Sequence, residues 1–342
     1  MEKLSIYLIL MLLFVGCKSI AVNSVPRPNE SDFTIAFGSC NKSNAKNPLW
    51  DDILAAQPDV WIWGGDIVYA DTDNREKLRE MYMEQDSVEG YALLKTKVPV
   101  IGTWDDHDYG LNDGGVEFKG KKWSQQEFLD FMDVPAESPR RTGEGIYTAH
   151  DYILPKGNIK VIVLDTRYFR TALTPDRETS KRNKPNEYGE GTLLGPEQWE
   201  WLERTLKSST ADFNIIVSSI QFLSNEHGFE CWGNFPHEVD KLKSLIVSSE
   251  AKGVVLLSGD RHISEFSRTM VDGLSYPLID FTSSGLTHVY SSYSGEPNPY
   301  RVGEVVAKKS FGILNFDFNL KKVLFKMVGD QGELYGELEQ TY

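Results

Sequence analysis

Short apolar runs alternate along the chain with segments whose apolar residues recur every three or four positions. Residues 33–37, 59–63, 99–103, 160–164, 213–217, 254–257 and 276–281 are the short runs, the pattern of buried strands. Between them, residues 48–57 put Leu49, Trp50, Ile53 and Leu54 on one helical face, and residues 75–95 predict a helix broken near Gly90. Residues 124–132 open on Ser124 as a helix N-cap, residues 196–206 carry Pro196 in a first turn, and residues 237–248 complete the helices. Two alternating runs, 311–318 and 322–328, predict an added antiparallel pair. There is no internal repeat. The alternation indicates an α/β fold, with residues 31–342 as one domain.

The first residues follow a different pattern. After Glu2 and Lys3, residues 4–15 are almost wholly apolar and end at Gly16-Cys17. A dozen such residues are too few to span a membrane, where about twenty are needed, and they predict a secretory signal. Phe14-Val15-Gly16-Cys17 resembles a bacterial lipobox, in which the cysteine is lipidated and becomes the new N-terminus; Phe14 departs from the more usual Leu. A plain signal peptide cut elsewhere is the alternative. The expectation is a signal peptide over 1–16, a lipidated Cys17 with a tether to residue 30, and a periplasmic or outer-membrane-associated lipoprotein. Membrane contact would run through that anchor alone.

The 342 residues carry a formal charge of −14, with 40% hydrophobic and 25% charged residues. This is the composition of a folded soluble domain, expected to be a monomer, and its acidity argues against nucleic-acid binding. With Cys17 consumed by lipid, Cys40 and Cys231 remain, either as a disulfide or with Cys40 as a metal ligand.

The chemistry is concentrated where apolar strands end. Four of them run into Cys40, into Asp66 with Tyr69, into Asp106 with His107, and into Asp260 with His262. In an α/β sheet, residues past the carboxyl ends of strands converge on one crevice. Asp and Gly favour turns for backbone reasons, which explains one such cluster. Four clusters carrying carboxylate, imidazole, thiol and phenol point to a metal site. Asp105 is placed as a hydrogen-bonding neighbour of the ligands. Trp61, Trp63 and Trp104 read as core, Trp232 and Phe235 as either cleft rim or helix packing, and the polar stretch 171–190 as either a lid or a disordered insert.

Gly64-Gly-Asp66-Ile-Val-Tyr69, Trp104-Asp-Asp-His107-Asp and Ser258-Gly-Asp260-Arg-His262, in this order after Gly38-Ser-Cys40, resemble the motifs of the alkaline phosphatase D (PhoD-like) family of calcineurin-like metallophosphoesterases. The resemblance covers Gly38 to His288. It implies a four-layer α/β/β/α sandwich with Fe(3+) bound by Cys40, Asp66, Tyr69 and His262. Asp66 would bridge to a second ion, Ca(2+), completed by Asp106 and Asp260, where relatives often use Asn and His. An all-oxygen site suits a hard cation, and a phenolate needs a strongly charged metal because free Tyr ionises only near pH 10.

The resemblance further implies phosphate ester hydrolysis, with a metal-bound hydroxide attacking phosphorus. His107 would assist the leaving oxygen, Arg261 would clamp a phosphate oxygen, and Asn112, Asn234 and His288 would contact substrate. Gln221 stands where relatives carry another metal-binding histidine. Phosphodiesterase or phospholipase D-type activity is the alternative, and a non-catalytic metal-stabilised binding protein is a third.

Overall fold

The computed structural model describes residues 20–21 and 31–342; the signal segment and Cys17 lie outside the described residues. Two sheets face each other. One has six strands in the order Leu334–Thr341, Lys322–Val328, Phe311–Asp317, Phe33–Gly38, Val60–Gly64 and Val100–Thr103. The other has eight: Ile20–Ala21, Thr148–Ile153, Asn158–Val163, Phe213–Val217, Val254–Ser258, Leu278–Ser283, Ser264–Thr269 and Arg301–Val306. Each has a parallel block: three strands from Phe33–Gly38 to Val100–Thr103 at one end of the six-stranded sheet, and four from Asn158–Val163 to Leu278–Ser283 in the middle of the other.

The period of two sorts side chains between layers. Ile35, Phe37, Val161, Val163, Val255 and Leu257 point between the sheets, where Phe37 and Phe281 meet edge to face at 4.9 Å. Their neighbours Ala36, Ile162 and Leu256 point outward under helices. Trp50–Ala55, Arg75–Ser87, Glu89–Lys97 and Lys121–Phe131 cover the six-stranded sheet through Trp50, Trp61, Trp63 and Tyr91; Gly195–Lys207 and Pro236–Ser249 cover the other. These are the four α/β/β/α layers. Burying a side chain such as Phe37 stabilises by about 3–5 kcal/mol against truncation to Ala.

Several elements differ from the sequence pattern. The helix break falls at Val88, with ψ 115°, and Gly90 lies inside the second helix. A Cβ at Gly90 would stand 2.5 Å from the Cβ of Trp50, so this glycine serves packing. Ser124 is not an N-cap: the helix starts at Lys121, and the buried Ser124 hydroxyl donates to the Tyr109 carbonyl at 2.8 Å. Strands Thr148–Ile153, Ser264–Thr269, Arg301–Val306 and Leu334–Thr341 escape the pattern because most of them lie at or near sheet edges and keep polar residues. Ile20–Ala21, within the expected tether, pairs in parallel with Tyr152–Ile153. The stretch 171–190 forms a small hairpin, Thr174–Pro175 against Asn183–Lys184. Among the described residues no helix is long and apolar enough to cross a membrane.

Candidate metal centre

Parallel strands from both sheets deliver their C-terminal loops to one place. Phe33–Gly38 leads to Cys40, Val60–Gly64 to Asp66 and Tyr69, Val100–Thr103 to Asp105, Asp106 and His107, and Val254–Ser258 to Asp260 and His262. Cys40, Asp66, Asp260 and His262 all adopt left-handed backbone, with φ of 57°, 50°, 66° and 55°. Such conformations cost about 1–2 kcal/mol each and persist only where packing holds them. Gly65 (φ 99°) lets the loops close, since a Cβ there would lie 2.6 Å from the Cβ of Asp105.

The ligand types separate into two halves that share Asp66. In the first, the Cys40 thiol donates to Asp66 Oδ2 at 3.3 Å, and the Tyr69 hydroxyl lies 3.1 Å from Asp66 Oδ2 and 3.0 Å from His262 Nε2. In the second, Asp66, Asp105, Asp106 and Asp260 bring oxygens within 4.8 Å of one another. The Asp105 Oδ2 and Asp106 Oδ1 atoms are buried and have no hydrogen-bond partner.

The protonation energetics favour added positive charge. Burial, then the Asp260 charge, pushes the Cys40 thiol up to about 11. Burial, then Cys40 and Asp106, raises Asp66 well above the usual carboxylate range. Burial and Asp66 raise Tyr69 in the same way, and burial with Asp106 raises Asp260 to about 6. Burial holds His262 below its ordinary value, hence neutral and able to donate a lone pair. Buried acids and orphaned oxygens at this density fit metal ions, which would ionise the thiol and phenol and satisfy the free oxygens.

The second half also has protein cations. Arg167, fully buried, donates Nε to Asp105 Oδ1 at 2.5 Å and Nη1 to Glu230 at 2.5 Å, while Arg170 pairs with Glu230 at 2.8 Å. Burial opposes ionisation of Asp106, but Arg167, His107 and the Asp113 N–H (2.7 Å) outweigh it and hold this carboxyl below its usual range. The Asp105 Oδ1 atom also accepts from Ser219 at 2.7 Å.

His107 stands beside this cluster. Its Nδ1 meets Asp71 Oδ1 at 2.7 Å, its Nε2 lies 4.0 Å from Asp106 Oδ1, and its ring packs 4.2 Å from the Tyr69 ring. Burial works against the imidazolium, yet Asp71, Asp66 and Asp106 push His107 up to about 10. Cations on Asp66 and Asp106 would cancel two of these influences and leave Asp71 as the fixed partner.

An open cleft of about 500 Å³ adjoins the centre, walled by Asp106, His107, Asn112, Asp260, Arg261 and His262 among others. Arg261 pairs with Glu296 at 2.8 Å and lies 4.0 Å over the Phe229 ring. His288 packs at the first half instead, 4.8 Å from the Tyr69 ring and 4.4 Å from that of His262. Asn234 is committed to a turn, where its Oδ1 accepts from the Cys231 N–H at 2.8 Å, and it does not line the cleft. Gln221 bonds to Glu265 and Thr282, both at 2.8 Å, away from the centre. Cys40 and Cys231 are both free thiols, so there is no disulfide between them. Trp232 and Phe235 are core.

Sequence reasoning missed Asp71, Arg167 and Glu230. The strand 160–164 and its terminal Asp165 are legible, and Arg167 follows two residues later. That offset from a strand end is the one local signal for it; Asp71 and Glu230 have none.

Residues 72–294 match the sequence profile of the PhoD-like phosphatases, a match that begins three positions after Tyr69. The chain is 25% identical over 291 residues to alkaline phosphatase D of Bacillus subtilis (strain 168), covering 72% of this chain and 48% of that protein, so it spans about half its length. A solved structure of PhoD superposes with a TM-score of 0.71 at 20% identity over 93% of this chain and 70% of the other. A dimetal phosphatase from Danio rerio gives 0.53 at 13% identity over 92% and 100%. These two likenesses concern the fold. With a profile match across most of the described chain and a strand-end centre built from the four motifs, the chain belongs to the PhoD-like phosphatase family.

Proposed function

We propose that this chain hydrolyses phosphate esters with two metal ions held at the strand ends. One observation carries the proposal: Asp66 belongs both to a set with Cys40 and His262 and to a set of carboxylates, directly beside His107. The sulfur, phenol and imidazole of Cys40, Tyr69 and His262 suit iron, and the oxygens of Asp66, Asp106 and Asp260 suit calcium. Such metals supply Lewis acidity and an activated water.

The protein's own groups act around them. Asp71 holds His107 by Nδ1, which leaves Nε2 to deliver a proton to the departing ester oxygen. Arg261, steadied by Glu296 and the Phe229 ring, offers guanidinium N–H groups to phosphoryl oxygens. Residues 4–17 support placement at the cell envelope through a lipid on Cys17; a Cys17→Ser chain released from the membrane fraction is the expected outcome.

The test is hydrolysis of a phosphate monoester and a diester by the same metal-analysed preparation. Turnover of the monoester is expected, with iron and calcium present and a visible charge-transfer colour. The His107→Ala variant should keep its metals and lose roughly 10² in rate, the lower range for general acid catalysis. Full activity with full metal content in that variant would overturn the role of His107, and a colourless, active, zinc-only protein would overturn the iron assignment.

A further inference from the structure

The hairpin within residues 171–190 brings one cation to the cleft wall, and backbone hydrogen bonds fix it on both sides of that residue. The Asn183 N–H donates to the Gly228 carbonyl at 2.8 Å, the Asp176 N–H to the Arg182 carbonyl at 3.0 Å, and the Asn186 N–H to the Asn234 carbonyl at 2.9 Å. The Asp176 side chain accepts from the N–H groups of Glu178 and Thr179 and closes the turn. Arg182, between these anchors, lines the same cleft as Asp106, His107, Asp260 and Arg261.

The other guanidiniums at or behind this wall are committed. Arg167 and Arg170 are buried and spent on Asp105, Glu230 and the Asp113 carbonyl. Arg261 is 7% exposed and pinned by Glu296. Arg182 differs: it makes one ion pair, Nη2 to Asp113 Oδ2 at 2.7 Å, and its side chain is 54% exposed. A guanidinium has five donors in a planar fork, so among the described residues most of its N–H groups have no protein partner at the cleft wall. Asp113 is itself 23% exposed and stays solvated if Arg182 turns away from it. The cleft's 500 Å³ is in the range for small organic ligands, well beyond a phosphoryl group alone. Glu230 and Asp113 on its wall would repel a second negative group unless a cation met it.

We propose that Arg182 is a specificity residue that binds a second anionic group, phosphate or carboxylate, on the alcohol side of the ester, the phosphoryl group being held at the metal centre. This rests on the phosphoesterase function proposed above. The substrate class is then an organophosphate carrying two anionic groups.

The experiment compares glycerol 1-phosphate with glycerol 1,3-bisphosphate, using metal-loaded wild type, Arg182→Ala and Arg182→Lys. Wild type should prefer the bisphosphate. Arg182→Ala should lose about 10- to 100-fold of that preference, the usual scale for one charge-assisted contact, through KM with kcat nearly unchanged; Arg182→Lys should recover part of it. An equal fall in kcat on both esters would overturn the proposal, because it would mean that Arg182 only positions Asp113 and, through the Asp113 N–H, Asp106. Unchanged kinetics on both would overturn it as well. Binding of 1,3-propanediphosphonate against propylphosphonate, followed by calorimetry, decides the matter separately from turnover. A protein that hydrolyses neither ester would refute the proposed function, while loss of diphosphonate preference in Arg182→Ala alone would still support the role of Arg182. Equal affinities for the two phosphonates in wild type would refute that role.

Discussion

The two halves of the centre share Asp66 but neutralise their charge in different ways. Among the described residues, no lysine or arginine forms an ion pair with Cys40, Tyr69 or His262, Lys42 only lies 5.1 Å over the Tyr69 ring, and burial keeps thiol and phenol protonated. Around Asp105 and Asp106 the protein supplies Arg167, which with His107 and the Asp113 N–H keeps Asp106 ionised without a metal, although burial still raises Asp105. One half therefore depends on a metal for its ionised form, whereas the other is partly balanced by the fold. A buried acid is tolerated either by staying neutral or by meeting a cation, and this site uses both solutions within a few ångströms.

The largest expected effect comes from removing what the halves share. Asp66→Asn should strip metal from both and lower activity by about 10³-fold, the upper scale for losing a group that stabilises transition-state charge; metal analysis beside rate assays checks it. Retention of one metal would break the symmetry assumed for Asp66. Next, Arg167→Met leaves the buried Asp105 without its ion-pair partner and Glu230 with Arg170 alone, and should cost about 3–5 kcal/mol in denaturant unfolding. Tyr69→Phe in the other half removes no ion pair, and its metal-free stability should change by only about 1 kcal/mol.

Metal affinity should separate the halves by pH. Without metal the Cys40 thiol keeps its proton until about pH 11, so loading of the first half displaces that proton. The Tyr69 phenol, also held protonated by burial, loses its proton on loading as well, so the affinity should rise about a hundredfold per pH unit across neutrality. Asp260 titrates near 6, so above that pH it contributes no further rise to the second half, and below it affinity falls as the carboxyl is protonated. The shared Asp66 affects both alike. Titration of iron and calcium binding between pH 5 and 9 measures the contrast, and parallel slopes would erase it. The smallest effect is at Asp71: Asp71→Asn should reduce kcat about tenfold by loosening His107 while leaving the metal content intact.

Much of the centre was legible in the chain. Cys40, Asp66, Tyr69, Asp106, His107, Asp260 and His262 each follow an apolar run, and parallel strands bring such positions together whatever their separation. The core was legible for the same reason, since the period of two at Ile35–Ala36–Phe37 and Val161–Ile162–Val163 fixes which residue faces which layer. The break near Gly90 was legible but its position at Val88 was not, because Gly90 itself is placed for close approach to Trp50. Ser124 misled because its hydroxyl serves Tyr109 across a helix contact rather than a helix start.

What the sequence determined by itself is the set of strands, the sidedness of the core and the ligand types waiting at the strand ends, because periodicity and donor chemistry are local properties. What only the tertiary structure decided is the charge balance around those ligands. Arg167 meets Asp105 across 62 positions and Glu230 across 63, and Arg182 meets Asp113 from a hairpin that no periodicity announces. Ion pairs form between side chains that the fold happens to bring within a few ångströms. The sequence records their charges but not their neighbours.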